Sequence, residues 1–456
     1  MTPATSAISL QTALRNLPPG AEEPIVESQF IELALLGALG FTSGDFYKQF
    51  RTGHGANRVD YALRKTVGDD VFVHTQSKPY LLIEAKGRNV KLQEGSSGCK
   101  DAVKQIKEYL NDPNCQTAEW GIITNADHIQ LFRKHGKVIF PVTRCLEITL
   151  DNIEEVVNKV RQKIEVPPRA LTVAIYANKG GVGKTSTTIN LSAVLGHGER
   201  KKVLVVDLDP NQRDLTNSVN VAPAEHTLSQ VLTDRNVDVR SAISPYGIVR
   251  KGKTHHFFDV LPADKGLIGA DDNALRKLLT LSALKQKLES VTSDYDYIFI
   301  DCSPNWTVFS QMAMVAADVV LTPVGFNNLS ALRNVAVTVG EHFPSLQKLR
   351  DDNGPTHLPI FFNGGKLTDK NRVTVYEAIE NILSDFQREK QGTDLREIYF
   401  PKFTKAHKNR YIFEIPNFNN IAGAVFAGIP ASYQYKPINA QYRDLAKEYF
   451  LHEYSH

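Results

Sequence analysis

Leu171–Leu191, LTVAIYANKGGVGKTSTTINL, decides how the rest of the chain is read. An apolar β-type run from Leu171 to Ala177 meets a glycine turn, and a helical pattern begins near Lys184. Glycines let the backbone curl so that successive N–H groups point inward, and the following helix adds its positive end. Such a loop cradles phosphates. Gly180, Gly181, Val182 and Gly183 form the curl and Ser186 follows it, while Lys184 reaches the β- and γ-phosphates and the Thr185 hydroxyl holds Mg2+. The usual pattern G-x-x-x-x-G-K-[ST] needs glycine at 178, where this chain has Asn178. It reads K-G-G-x-G-K-[ST] instead, with a second lysine, Lys179, at the start of the loop.

Working outward, 456 residues are too many for one ordinary domain. A hydrophobic content of 42% and a charged content of 23% suit a globular fold, and a net charge of +3 is too mild to argue for nucleic acid by itself. The four cysteines, Cys99, Cys115, Cys145 and Cys302, show no C-x-x-C spacing, which fits a reducing cytoplasm and argues against disulfides or a zinc knuckle. The N-terminal stretch has no basic region followed by an apolar core, so it does not read as a signal peptide. The longest apolar run, Val308 to Phe326, is broken by Gln311, Asp318 and Pro323, so no membrane span and a cytoplasmic location are expected.

Residues 1–20 read as a flexible lead-in ending at Pro18-Pro19-Gly20. From Val26 to Gly40 the apolar spacing is helical, with Glu27 ahead of the apolar face. β-type runs follow at Val59–Leu63, Val71–Thr75 and Tyr80–Ala85, then a helix at Asp101–Leu110 and strands at Trp120–Thr124 and Ile129–Phe132. Asp60 sits inside VDYAL, and Glu84 and Lys86 inside YLLIEAKG. A carboxylate and a lysine on one face of a strand, with Asp60 on its neighbour, suit a divalent metal held against a phosphodiester. A solvated aspartate beside an ordinary Glu–Lys surface strand is the bland alternative.

The D…E-x-K set resembles the PD-(D/E)XK nuclease core, and Gln105 and Tyr109 have the Q-x-x-x-Y spacing of many such nucleases. TAEWGIITNADHIQLF, Thr117 to Phe132, resembles the N-terminal domain of type I restriction-enzyme motor subunits, where the opening helix with Glu27 also has a counterpart. The resemblance covers residues 21–150 and implies a smaller mixed α/β, restriction-endonuclease-like domain. Asp60 and Glu84 would hold Mg2+ or Mn2+, and Glu27, Gln105 and Tyr109 would support them. An inactive remnant of the same fold is the other possibility. Residues 151–169 read as an amphipathic helix and a Pro167-Pro168 linker.

Residues 170–456 resemble the ParA/MinD-type ATPases with a deviant Walker A loop, on the K-G-G-x-G-K-T reading and on KKVLVVDLDPNQRD, YIFIDC and the tail IPNFNNIAGAVFAGIP. The resemblance implies an α/β fold with a mostly parallel sheet and helices on both faces. It puts Lys179 across a dimer interface on the partner's nucleotide, Asp209 beside the attacking water, and Asp207 and Asp301 near Mg2+. Asn363 takes a position where relatives contact adenine. Relatives carry D-x-D-P-Q-G-N where this chain has D-L-D-P-N-Q-R, which leaves the hydrolysis rate open. ADVVLTP, Ala317–Pro323, and Leu358–Asn363 read as two more buried parallel strands. Lys366, Lys370 and Arg372, and Lys402, Lys405, Lys408 and Arg410, are basic clusters of the kind that bind DNA phosphates without reading sequence, or else a solvated basic face. His255 and His256 read as surface.

The function expected is an ATP-dependent homodimeric switch that binds DNA and controls a metal-dependent endonuclease, of the kind used against foreign or mobile DNA, with a partner protein triggering hydrolysis. A partition or positioning ATPase with an inactive N-terminal DNA- or partner-binding module is the alternative. A regulator of a separate enzyme is the third.

Overall fold

β1 (Phe46–Arg51), β2 (Arg58–Leu63), β3 (Leu81–Ala85), β4 (Trp120–Thr124), β5 (His128–His135), β6 (Val138–Pro141) and β7 (Leu146–Glu147) make one sheet in a computed structural model of the chain. The structure describes residues 8–267, 272–389, 395–400 and 411–452. By its internal contacts the chain divides into two units, Met1–Pro167 with Asp351–Asn353, and Pro168–Arg350 with Gly354–His456.

In the first unit the strand order is β1-β2-β3-β4-β5-β6, with β7 on β5. β1, β2 and β3 are antiparallel neighbours, whereas β3 and β4 are parallel. A parallel pair needs a crossover, supplied here by the helix Ser97–Asn111. Gly121 admits that helix: a Cβ there would meet Ile106 at 2.8 Å and Leu110 at 2.9 Å. On the other sheet face lies a continuous helical segment, Glu23–Val26, a π-helical stretch Glu27–Leu35, and Leu36–Ala38.

Two expectations are corrected in this unit. Val71–Thr75 is not a strand. The segment closes instead as one helical turn, Phe72–Thr75, ended by Gln76 at φ 47°, with Phe72 buried. The lead-in is not loose from Leu10 on. Leu10, Ala13, Leu14 and Leu17 have helical spacing and are buried, and Ser9 caps the helix Leu10–Asn16. The amphipathic helix forms as Ile153–Glu165, and its apolar stripe, Ile153, Val157, Val160 and Ile164, shares a core with Phe30, Ile31 and Leu35.

The second unit has β8 (Leu171–Ile175), β9 (Val203–Leu208), β10 (Ser244–Arg250), β11 (Lys253–Leu261), β12 (Tyr297–Cys302), β13 (Val319–Leu321), β14 (Pro323–Val324), β15 (Thr356–His357), β16 (Phe361–Asn363) and β17 (Phe413–Ile415). Its main sheet runs β10-β11-β9-β12-β8-β13-β15, parallel except for the edge hairpin β10–β11. The hairpin turns on two positive-φ residues, Lys251 and Gly252, the pattern of a type I′ turn. Leu358–Asn363 does not join this sheet as expected: β16 pairs β14 and β17 in a separate three-stranded parallel sheet. The chain changes sheets at Thr322, between β13 and β14.

Thr322 is held there by His357. Its hydroxyl and His357 Nε2 are 2.9 Å apart, and His357 Nδ1 donates to the Leu358 carbonyl, so Nε2 is the acceptor. Desolvation pushes the imidazole down to about 4 from 6.5, so it folds neutral. The stability this brings is complete above pH 6.5 and is lost as pH falls from 6.5 towards 4. Between pH 7 and pH 5 the wild type should lose about 1–2 kcal/mol more than His357→Asn, read from urea midpoints. Identical losses in the two proteins would contradict this role.

Candidate nucleotide-binding loop and carboxylate cluster

The fully apolar β8 ends at Ile175 and the chain enters the loop. Gly181 at φ 75° and Gly183 at φ 87° adopt backbone that an L side chain resists, and a Cβ on Gly183 would lie 2.0 Å from the Asn363 carboxamide. Among the described residues, the N–H groups of Gly180, Gly181, Val182 and Gly183 meet no protein acceptor. Four unspent donors at the start of the helix Lys184–Ala193 suit an oxyanion-rich ligand. Lys184 is buried and its Nζ donates to the Lys179 carbonyl at 3.2 Å, folding back over the loop, whereas the Lys179 side chain is exposed. Asn178, the departure from the usual pattern, has its carbonyl held by the Asn334 carboxamide at 3.2 Å.

The acidic residues come from the ends of β9 and β12. Thr185 donates to Asp301 Oδ2 at 2.7 Å, and Thr188 lies 3.4 Å from Oδ1. Burial, with Asp207 nearby, raises the Asp301 carboxyl above its ordinary range. A hydroxyl and a carboxylate held together are hard oxygen ligands of the kind Mg2+ takes. Asp207 stands across from Asp301 on the neighbouring strand β9. Its Oδ2 accepts the Thr216 N–H and hydroxyl at 2.9 and 2.6 Å, and its Oδ1 accepts the Asp209 N–H at 3.1 Å. Fully buried, it pins the loop carrying Asp209. Asp209 accepts the Gln212 N–H at 3.2 Å, and burial raises its pKa.

Two more of the candidate residues have partners within the protein. Asn363, the candidate for an adenine contact, donates to the Val182 carbonyl at 2.8 Å and braces the phosphate loop. Arg372 is paired with Glu414 at 2.6 Å, which removes it from a free basic cluster. Lys366 and Lys370 are exposed, while Lys402, Lys405, Lys408 and Arg410 lie outside the described residues.

In the first unit the sheet brings the other cluster together. Asp60 on β2 accepts the Ala85 N–H at 2.8 Å through Oδ2 and the Gln49 carboxamide at 3.0 Å through Oδ1. Lys86 Nζ contacts Glu84 at 2.5 Å and Glu23 at 3.7 Å. Burial first, then Asp60, pushes Glu84 up to about 8, while Lys86, although desolvated, is held above its ordinary value by Glu84. Glu84 Oε2 is buried with no hydrogen-bond partner. Glu23, Glu27 and Asp60 offer oxygens within 4.8 Å of one another, and burial raises Glu23 and Glu27. An orphaned carboxylate oxygen beside an all-oxygen donor set fits a hard divalent cation. Glu27 also pairs with Lys48 at 3.2 Å, and on the crossover helix Gln105 donates to the Tyr109 hydroxyl at 2.8 Å.

Glu23, Gln49, Thr188 and Thr216 were missed in the sequence. Glu23 stands one helical turn before Glu27 and Thr188 one turn after Thr185, spacings that signal a shared face. Gln49 reaches Asp60 from a strand residue at φ 50°, for which the sequence holds no signal.

The AAA_31 family model, an AAA domain, matches residues 170–339. The sporulation initiation inhibitor protein Soj of Bacillus subtilis is 36% identical over 175 residues, 37% of this chain and 66% of that protein, so the chain spans just under two thirds of this relative. The virulence plasmid ParA family protein pGP5-D of Chlamydia psittaci is 33% identical over 227 residues, 46% of this chain and 83% of that protein. The solved McdA(D38A)–ATP complex of Cyanothece aligns over 62% of this chain and 98% of its own, with 21% identity and a TM-score of 0.46. With its phosphate loop inside the family model and most of pGP5-D matched, the chain belongs to the ParA family.

Proposed function

We propose that the chain is an ATP-binding and -hydrolysing ParA-type switch whose first unit is a metal-dependent DNA endonuclease. The proposed division is a nuclease-like domain at 21–150, a helix and linker at 151–169, and an ATPase domain at 170–456. The observation that carries the ATPase reading is the set of four unspent N–H groups at Gly180–Gly183, beside Thr185 bonded to Asp301. Those donors and Lys184 would hold the ATP phosphates, Thr185 and Asp301 would hold Mg2+, and Asp209 would orient the attacking water. Exposed Lys179 reaches the nucleotide of a second protomer, so ATP closes a homodimer and hydrolysis, stimulated by a partner protein, opens it. Lys366 and Lys370 remain candidates for DNA phosphates.

The nuclease reading rests on buried Glu84, with one oxygen unpartnered, beside Lys86 and Asp60. These residues would hold a divalent ion, Mg2+ or Mn2+, which would supply the charge that polarises a phosphodiester and activates water. Lys86 orients the nucleophile or balances developing charge, and Asp60, fixed by two donors, keeps its carboxylate aimed. Pairing two such units in an ATP-closed dimer supplies one active site per DNA strand, a form of chemistry suited to defence against foreign DNA. The relatives' names favour a second reading, a partition ATPase whose first unit binds DNA or a partner without cutting.

Lys184→Ala should lower ATP hydrolysis by about 10²-fold or more, measured as phosphate release; unchanged turnover would remove the loop from the mechanism. Wild-type protein should cut plasmid DNA with Mg2+ or Mn2+, and Asp60→Ala and Lys86→Ala should each lose about 10²-fold or more. No cleavage by wild type under any nucleotide condition sinks the nuclease, and cleavage unchanged in Lys184→Ala sinks its control by ATP.

A further inference from the structure

A polar cleft of about 400 Å3 opens in the first unit, lined by Tyr47, Gln49, Arg51, Arg58, Gln76 and Asn114 together with Phe50. No carboxylate lines it. Among the described residues neither guanidinium has an ion-pair partner, and both arginines are exposed. Arg51 lies opposite Arg58 in the β1–β2 register, so the two share a sheet face. Arg58 precedes Asp60 by two residues on β2, about 7 Å along the strand.

The cleft is built rather than incidental. Gln49 at φ 50° and Gln76 at φ 47° both stand in left-handed backbone, which a non-glycine residue adopts at a cost. The loop between β1 and β2 is tied to the end of the crossover helix. Thr52 donates to Asp112, Asn114 donates its backbone N–H to the Thr52 carbonyl at 2.8 Å, and its carboxamide donates to the Arg51 carbonyl at 3.0 Å. Gln49 joins the cleft to the carboxylate cluster through its bond to Asp60.

We infer that this cleft binds one nucleotide of a single nucleic-acid strand and leads that strand to Asp60. Two unpaired guanidiniums suit phosphates. Tyr47 offers a face for stacking, and three carboxamides, each donor and acceptor, match the polar edge of a base. The volume is that of a small-ligand site. The inference rests on the nuclease reading for what happens at Asp60, and on the cleft alone for binding.

The test is fluorescence anisotropy of fluorescein-labelled DNA and RNA single strands of about 12 nucleotides on the full chain, with EDTA and without ATP. Arg51→Ala/Arg58→Ala should weaken binding at least about fivefold for one or both strands and flatten the salt dependence by about 1.4 in log–log slope, two phosphate contacts' worth. An abasic strand should bind more weakly than one with bases. No binding by wild type, a double variant within about twofold of it, or equal binding of the abasic strand would each overturn the proposal. Binding that depends on Arg51 and Arg58 in a protein that cuts nothing with Mg2+ or Mn2+ would support the cleft and reject the nuclease.

Discussion

The parallel register of β8, β12 and β9 is the constraint on which the second unit depends. Asp301 stands across from Ile175 on one side and Asp207 on the other, so three strands end at one level. Ligands in open α/β sheets bind beyond such carboxyl ends. Here the three ends deliver the phosphate loop, the carboxylate that Thr185 bonds, and the loop carrying Asp209. The register also sets two carboxylates side by side in a dry interior, which is costly unless charge is compensated. Thr216 answers one of them, and the Thr185 hydroxyl and Lys184 answer the other.

The first unit solves a similar problem differently. An antiparallel hairpin and one parallel crossover bring Asp60, Glu84 and Lys86 together, and the helix Glu23–Val26 and the π-helical stretch after it add Glu23 and Glu27 from the other layer. Burial first, and then like charges beside it, raise a carboxylate's affinity for a proton, and Glu84 shows this most. A cluster of that kind destabilises the fold unless it is compensated, which favours a functional reading of it over a packing one.

What could be read in the sequence was whatever lies close together along the chain. The loop was legible because its glycines and lysines are consecutive, and β8, β9 and β12 because buried parallel strands are continuous apolar runs. The β10–β11 hairpin escaped because Lys253–His256 is polar and lacks apolar alternation. The Asp207–Thr216 pin escaped because its partners meet only after the intervening turn and helix have formed. Val71–Thr75 misled because β-branched residues suit a strand, whereas the segment closes as one helical turn that buries Phe72, a tertiary contact that no local pattern encodes.

The central claim is that ATP at this loop changes the chain's state of association. Its most direct measurement is the solution mass of Asp209→Ala by size exclusion with light scattering, with Mg2+ and either ATP or ADP. The account predicts a doubled mass with ATP alone, because the variant keeps the cradle and loses hydrolysis. The same mass in both nucleotides would contradict it.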